Sequence, residues 1–110
     1  MLKVFDDNSV ELTRGDTARL KVTVTNDDDE EYVVQSEDVL TLSIKKKVKD
    51  NEALVTKTIK GSDTFHIEPK DTSELEFGKY KYDVQLTTAV GDVYTVIPPS
   101  EFKIAEEVTT

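Results

Sequence analysis

Glu76-Phe77-Gly78-Lys79-Tyr80-Lys81-Tyr82-Asp83-Val84-Gln85-Leu86, continued by Thr87 to Asp92 and by Val93-Tyr94-Thr95-Val96-Ile97, decides how this chain folds. Tyr80, Tyr82, Val84 and Leu86 alternate with Lys79, Lys81, Asp83 and Gln85. A period of two residues is the signature of a strand with one buried face. Ala89-Val90-Gly91-Asp92 supplies a turn, and the second run is rich in β-formers, so the unit reads as a hairpin.

The same grammar recurs on both sides. Val10 and Leu12 sit in a short strand that ends at Arg14-Gly15-Asp16, a turn where Gly15 is free to take positive φ. Leu20, Val22 and Val24 alternate with polar residues until the acidic run Asn26 to Glu31. Tyr32-Val33-Val34 reads as a further short strand, then Leu40, Leu42 and Ile44 alternate with Thr41, Ser43 and Lys45. After Asp50-Asn51-Glu52, Leu54 to Ile59 is β-branched, with an inward face that alternation leaves ambiguous. Phe65 and Ile67 point inward around His66. Asp71 is placed to cap one helical turn near 71–76, with Leu75 dropping into the core. Pro98-Pro99 should interrupt the ladder, since neither donates a backbone hydrogen bond, and Glu101 to Ala105 makes a last strand.

The expectation is therefore all-β: an immunoglobulin-like antiparallel β-sandwich of seven to nine short strands. One domain spans 1–110, with 106–110 a frayed tail. Within that scheme Tyr80 occupies the corner position whose hydroxyl returns to the preceding turn, and Tyr82 takes the core position that holds Cys in antibody domains.

Composition narrows the function. The 110 residues carry a net charge of −9, with 23 acidic side chains against 14 Lys and Arg. That charge disfavours nucleic acid and anionic membranes. There is no cysteine, which excludes disulfides and thiolate metal sites. No apolar run spans a bilayer, and Met1-Leu2-Lys3-Val4-Phe5-Asp6-Asp7 is too short and charged for an export signal.

The candidate chemistries are weak. Arg14-Gly15-Asp16 matches an integrin-read tripeptide but is explained by turn chemistry. Asp27 to Glu31 is contiguous and lacks the glycine of a calcium loop, so it reads as a solvated tip. His66 alternates outward, and neither Ser62 nor Ser73 is spaced to form a triad with it. Lys45-Lys46-Lys47-Val48-Lys49 reads as a solvated strand end. No catalytic, cofactor or metal residues are expected. Tyr94, out of phase with Val93, Thr95 and Ile97, is the foremost candidate for a partner contact and Tyr32 is the second, because tyrosine is favoured in interfaces.

Several stretches together resemble a known family. They are Leu12-Thr13-Arg14-Gly15-Asp16-Thr17, Glu68-Pro69-Lys70-Asp71-Thr72, Gly78-Lys79-Tyr80-Lys81-Tyr82-Asp83-Val84-Gln85, Gly91-Asp92-Val93-Tyr94-Thr95, and the closing Phe102-Lys103-Ile104 with Val108-Thr109. In order and spacing they resemble small β-sandwich domains of bacteriophage and prophage structural proteins, closest to the N-terminal domain of siphophage baseplate upper proteins. The resemblance implies a non-enzymatic virion component of a baseplate, tail or head decoration, made in the bacterial cytoplasm. It also implies partners among other phage structural proteins or further copies of itself. The chain then acts as a free-standing component or as a domain of a longer chain. The alternative is a carbohydrate- or cell-surface-binding module, which the absence of Trp disfavours.

Overall fold

A computed structural model describes residues 2–26 and 28–106. The expected tail at 106–110 falls outside that range except for Glu106. The described chain is all-β. Its strands are β1 (Leu2–Val4), β2 (Val10–Thr13), β3 (Ala18–Lys21), β4 (Val24–Thr25), β5 (Glu31–Tyr32), β6 (Val39–Lys45), β7 (Val55–Lys60), β8 (Thr64–Ile67), β9 (Gly78–Thr87) and β10 (Val93–Ala105). A single helical turn, α1 (Pro69–Thr72), joins β8 to β9.

Six strands form one sheet in the order β1-β2-β10-β9-β6-β7, while β3 pairs with β8 and β4 with β5. The alternation in β9 and β6 builds the sheet's inner side. Leu86 lies opposite Leu40, Val84 opposite Leu42 and Tyr82 opposite Ile44, and all six are buried. Phe102 and Ile104 of β10, opposite Tyr80 and Gly78 of β9, carry the inner side on to Val10 and Leu12 of β2. From the β3–β8 pair, Leu20 opposite Phe65 and Ala18 opposite Ile67 join the same core. Each such side chain contributes about 1.5–3 kcal/mol by leaving water.

The corner residues behave as their positions predict. The Tyr80 hydroxyl donates to the Glu76 carbonyl at 2.7 Å. Tyr82 is 2% exposed and meets the Phe102 ring edge-on, with centroids 5.6 Å apart at 77°. Its hydroxyl donates to the Asn8 carbonyl, tying β9 to the turn between β1 and β2.

Several features differ from the sequence reading. The sheet is mixed, because β2 runs parallel to β10 from Val10 opposite Phe102 to Thr13 opposite Ala105. The strand count reaches ten because β1, β4 and β5, of two or three residues each, also pair. Val33 and Val34 are not in a strand, and Val33 is 71% exposed. The helical turn begins earlier, at Pro69, whose missing N–H suits the first helical position. Asp71 caps it from the third position rather than from outside, its carboxylate accepting from the Glu68 N–H at 2.7 Å. Leu75 packs half-buried against the core.

Pro98 and Pro99 do not break the chain's final strand. β10 runs through them, slipping register against β9 once between Thr95 and Ile97 and again between Ile97 and Ser100. Its other neighbour, β2, joins only at Phe102. The prolines thus lie in an edge segment at an irregularity, where a missing donor is tolerated.

Register also settles β7. Val55, Lys57 and Ile59 lie opposite Ile44, Leu42 and Leu40, so they share the core side. Lys57 thereby points inward at a sheet edge and bonds the Asp71 carboxylate at 2.7 Å. Burial alone would raise the Asp71 carboxyl, but the Lys57 and Glu68 hydrogen bonds and the charges of Lys57 and Lys70 hold it below its ordinary value. A carboxylate depressed in the folded state stabilises the fold above its unfolded value and loses that contribution as pH falls through the folded one. Lys57→Met is expected to move the acid unfolding midpoint to higher pH, read by circular dichroism.

Burial, and secondarily the charge of Asp7, pushes the Tyr82 phenol up to about 12. A raised value contributes nothing against folding below the unfolded value near 10, and the fold loses stability above it. The loss expected as pH rises from about 10 to about 12 is roughly 2–3 kcal/mol. Phenolate absorbance should show one late tyrosine that titrates together with unfolding. Tyr82→Phe should remove that alkaline limb while losing about 1–2 kcal/mol at neutral pH, because the Asn8 carbonyl loses its donor.

Candidate partner-binding surface

The hairpin that opens β10 fixes the geometry of the partner candidates. The Gly91 N–H donates to the Thr88 carbonyl, and the Thr88 N–H to the Asp92 carbonyl, both at 2.9 Å. Gly91 has φ +91° with open space where a Cβ would stand, so backbone conformation, not crowding, requires glycine there. This closure sets Val93 opposite Thr87, Tyr94 opposite Leu86 and Thr95 opposite Gln85. Thr88 and Asp92 form a hydrogen-bonded pair, so the next residues alternate. Tyr94 bonds toward β9, and Val93 and Thr95 turn their N–H and C=O groups toward the open edge. That edge has no backbone partner among the described residues before Phe102.

Tyr94 shares the side of Leu86 and Leu40, the core side, yet remains 54% exposed. Its exposure follows from its place at the rim of the layer. The second candidate, Tyr32, lies on the short β4–β5 hairpin, where it pairs with Val24. The Tyr32 hydroxyl donates to Asp38 Oδ2 at 2.6 Å, and the Gln35 N–H donates to the same oxygen at 2.8 Å. Asp38 is 3% exposed, and its backbone is pinned by Gln35 and Gly61. The hydrogen bond to Asp38, then burial, then the charges of Asp38 and Tyr94 raise the Tyr32 phenol above its ordinary value. Tyr32 and Tyr94 therefore lie within electrostatic reach of each other. Tyr32, Val33 and Val34 flank a shallow groove of about 330 Å³ that continues to Ser62 and Asp63.

The other sequence candidates are placed elsewhere. Arg14-Gly15-Asp16 does not project. The Arg14 guanidinium reaches the Leu75 carbonyl at 3.4 Å and stacks 4.1 Å from the Phe77 ring centroid, and the Gly15 N–H donates to Thr72 Oγ1 at 3.0 Å. The acidic tip is organised by Asn26, whose Oδ1 accepts from the Asp28 and Glu30 N–H groups. Asp27 lies outside the described residues, among which no cluster of metal-ligating side chains occurs. His66 is exposed opposite Arg19. Ser62 Oγ accepts from the Thr64 N–H and Ser73 Oγ donates to the Lys70 carbonyl, so neither is bonded to His66. Lys46 sits 4.6 Å over the Tyr80 ring.

Sequence reasoning missed Asp38, which positions Tyr32, and the open edge at Val93 and Thr95. The signal for Asp38 was an acid three residues after Gln35, the spacing of a side chain that closes a turn. No protein-family model, curated protein or solved structure matches the chain.

Asp38→Ala is expected to cost about 1–3 kcal/mol in urea unfolding, because the part-buried Gln35 N–H and the Tyr32 hydroxyl lose their acceptor. Asp38→Asn should bring the Tyr32 phenol back down, visible as an earlier step in the tyrosine titration, with Tyr32→Phe identifying the step.

Proposed function

We propose that this chain is a non-enzymatic structural or adaptor protein of bacteriophage or prophage virions, built on an immunoglobulin-like sandwich and acting through protein–protein contact at the Tyr32–Tyr94 corner. The phage setting rests on the motif resemblance from Leu12 to Thr109. The contact reading rests on one observation: the uncharged edge Val93 to Ile97 is unpaired beside two tyrosines and the exposed Val33 and Val93. An unpaired edge offers backbone donors and acceptors to an added strand, and flanking aromatic side chains supply contact area at low entropic cost. Tyr32 is held in place by Asp38, so it loses little freedom on binding.

The test is mass spectrometry of purified, induced virions, in which the protein is expected to co-purify with particles. A double change, Val93→Asp with Tyr94→Ala, should abolish incorporation, while unfolding stability stays within about 0.5 kcal/mol because both sites are exposed. Particles that never contain the wild-type chain would sink this reading. Retention of a glycan on an array, lost in the same variant, would favour the carbohydrate-binding alternative.

A further inference from the structure

β9 sets lysine opposite lysine on both of its flanks. Lys79 lies opposite Lys103 of β10, and Lys81 lies opposite Lys45 of β6. Like charges directly opposite on one face of a sheet repel. Carboxylates relieve the first pair, since Lys103 reaches Glu11 at 3.5 Å and Lys79 reaches Glu101 at 3.6 Å. The second pair has no such relief. Neither Lys45 nor Lys81 makes an ion pair among the described residues, although Glu101 lies opposite Lys81 and Asp83 follows two residues along β9. Both lysines line a pocket of about 30 Å³ on the outward side of the sheet, together with Ser43 and Asp83, and with Val48 and Pro99 as apolar walls. Lys47 and Lys49, on either side of Val48, are exposed and add positive charge beside it.

We propose that this pocket binds one protonated phosphate group, as inorganic phosphate or as the monoester of a small molecule. The unrelieved lysine pair carries the proposal. An anion held by both ammonium groups replaces their mutual repulsion with charge-assisted hydrogen bonds. Ser43 adds a hydroxyl that can donate or accept. Asp83 sets which anion fits. A carboxylate only accepts hydrogen bonds, so it repels a fully ionised oxyanion and bonds one that keeps an acidic proton. A phosphate monoester loses its second proton at about pH 6, so the protonated form is still at hand at neutral pH. Sulfate and phosphodiesters have no such proton. The pocket takes a group of a few heavy atoms, and the carbon chain of an ester would lie out along Val48 and Pro99. Exposed lysines are screened by salt, and the net charge of −9 opposes an approaching anion, so the affinity is roughly millimolar.

Amide NMR titration with inorganic phosphate at neutral pH, against sulfate and chloride at matched ionic strength, tests it. Phosphate should shift the amides of Ser43, Lys45, Lys81 and Asp83 along a saturating curve, and sulfate should not. Lys45→Gln combined with Lys81→Gln should lose the saturating shift, with unchanged circular dichroism. Asp83→Asn should lose the preference, so that sulfate binds as phosphate does, because an amide can donate to an oxyanion that has no proton. Lys21→Gln, which removes an exposed lysine of β3, should bind as the wild type does. Glycerol phosphate is the ester probe. Tighter binding than inorganic phosphate names a monoester as the ligand, and equal or weaker binding names inorganic phosphate. Shifts that grow linearly and spread over all the lysines overturn the proposal. So does a wild type that takes sulfate as well as phosphate, or a double variant that still saturates. Virion incorporation is scored separately, so each result leaves the proposed function to its own test.

Discussion

Tyr82 holds the sheet to the turn that begins it. Its ring lies in the row of Ile44 and against Phe102, and its hydroxyl crosses to the Asn8 carbonyl. One side chain on β9 thus touches β10, faces β6 and closes the β1–β2 hairpin. Short strands gain little from their own ladders, since an isolated two-stranded hairpin is marginal in water. The three residues of β1 and the four of β2 therefore depend on being anchored to the long central strands. The phenol is the side chain that suits this place: the body supplies apolar area and the tip reaches the Asn8 carbonyl at the surface.

With the centre fixed, the edges diverge. β7 carries the inward-pointing Lys57, neutralised by Asp71 from α1, and Lys60 paired with Glu37. β1 is three residues long, with Lys3 4.0 Å from Glu11. Short length and lysines are the usual means of preventing an edge from recruiting another strand. The first half of β10 has neither device, for Val93 to Ser100 contains no charge. That stretch is interrupted instead by the register slips at Thr95 to Ile97 and at Pro98-Pro99.

The legible parts of the sequence were those governed by a local period. β6, β8 and β9 alternate without interruption, so their buried faces could be named from residue types alone. So could the Tyr80 corner, because its partner Glu76 is four residues away. The parallel pairing of β2 with β10 joins residues roughly ninety positions apart, and no local pattern encodes it. β10 was read as two strands because Pro98-Pro99 normally ends a ladder, and whether a strand is at an edge is a tertiary fact. At the candidate surface, the exposure of Tyr94 was expected from its phase, but the register puts it on the core side and its rim position exposes it, whereas Asp38 looked like one more acid in a polar stretch. Its backbone bonds Gln35 and Gly61 and its carboxylate bonds Tyr32, and the bond to Gly61 is a matter of tertiary structure.

Phase and irregularity explain the surface together. From Tyr94 opposite Leu86 to Ile97 opposite Val84, β10 advances three residues while β9 advances two. Without that extra residue, Val96 would lie opposite Val84 and Ile97 would turn to the outer side. The slip returns Ile97 to the core, where it is 8% exposed, and keeps Tyr94 on the same side one step closer to the rim. A second slip at the prolines restores Phe102 and Ile104 to the inside, beside β2. The two irregularities therefore let one strand serve two neighbourhoods. Its last residues complete the core between β9 and β2, and its first residues remain an uncharged edge beside Tyr32. A slip of one residue reverses every side chain that follows it, so the interior and the exposed tyrosine are set by the same local departure from regular pleating.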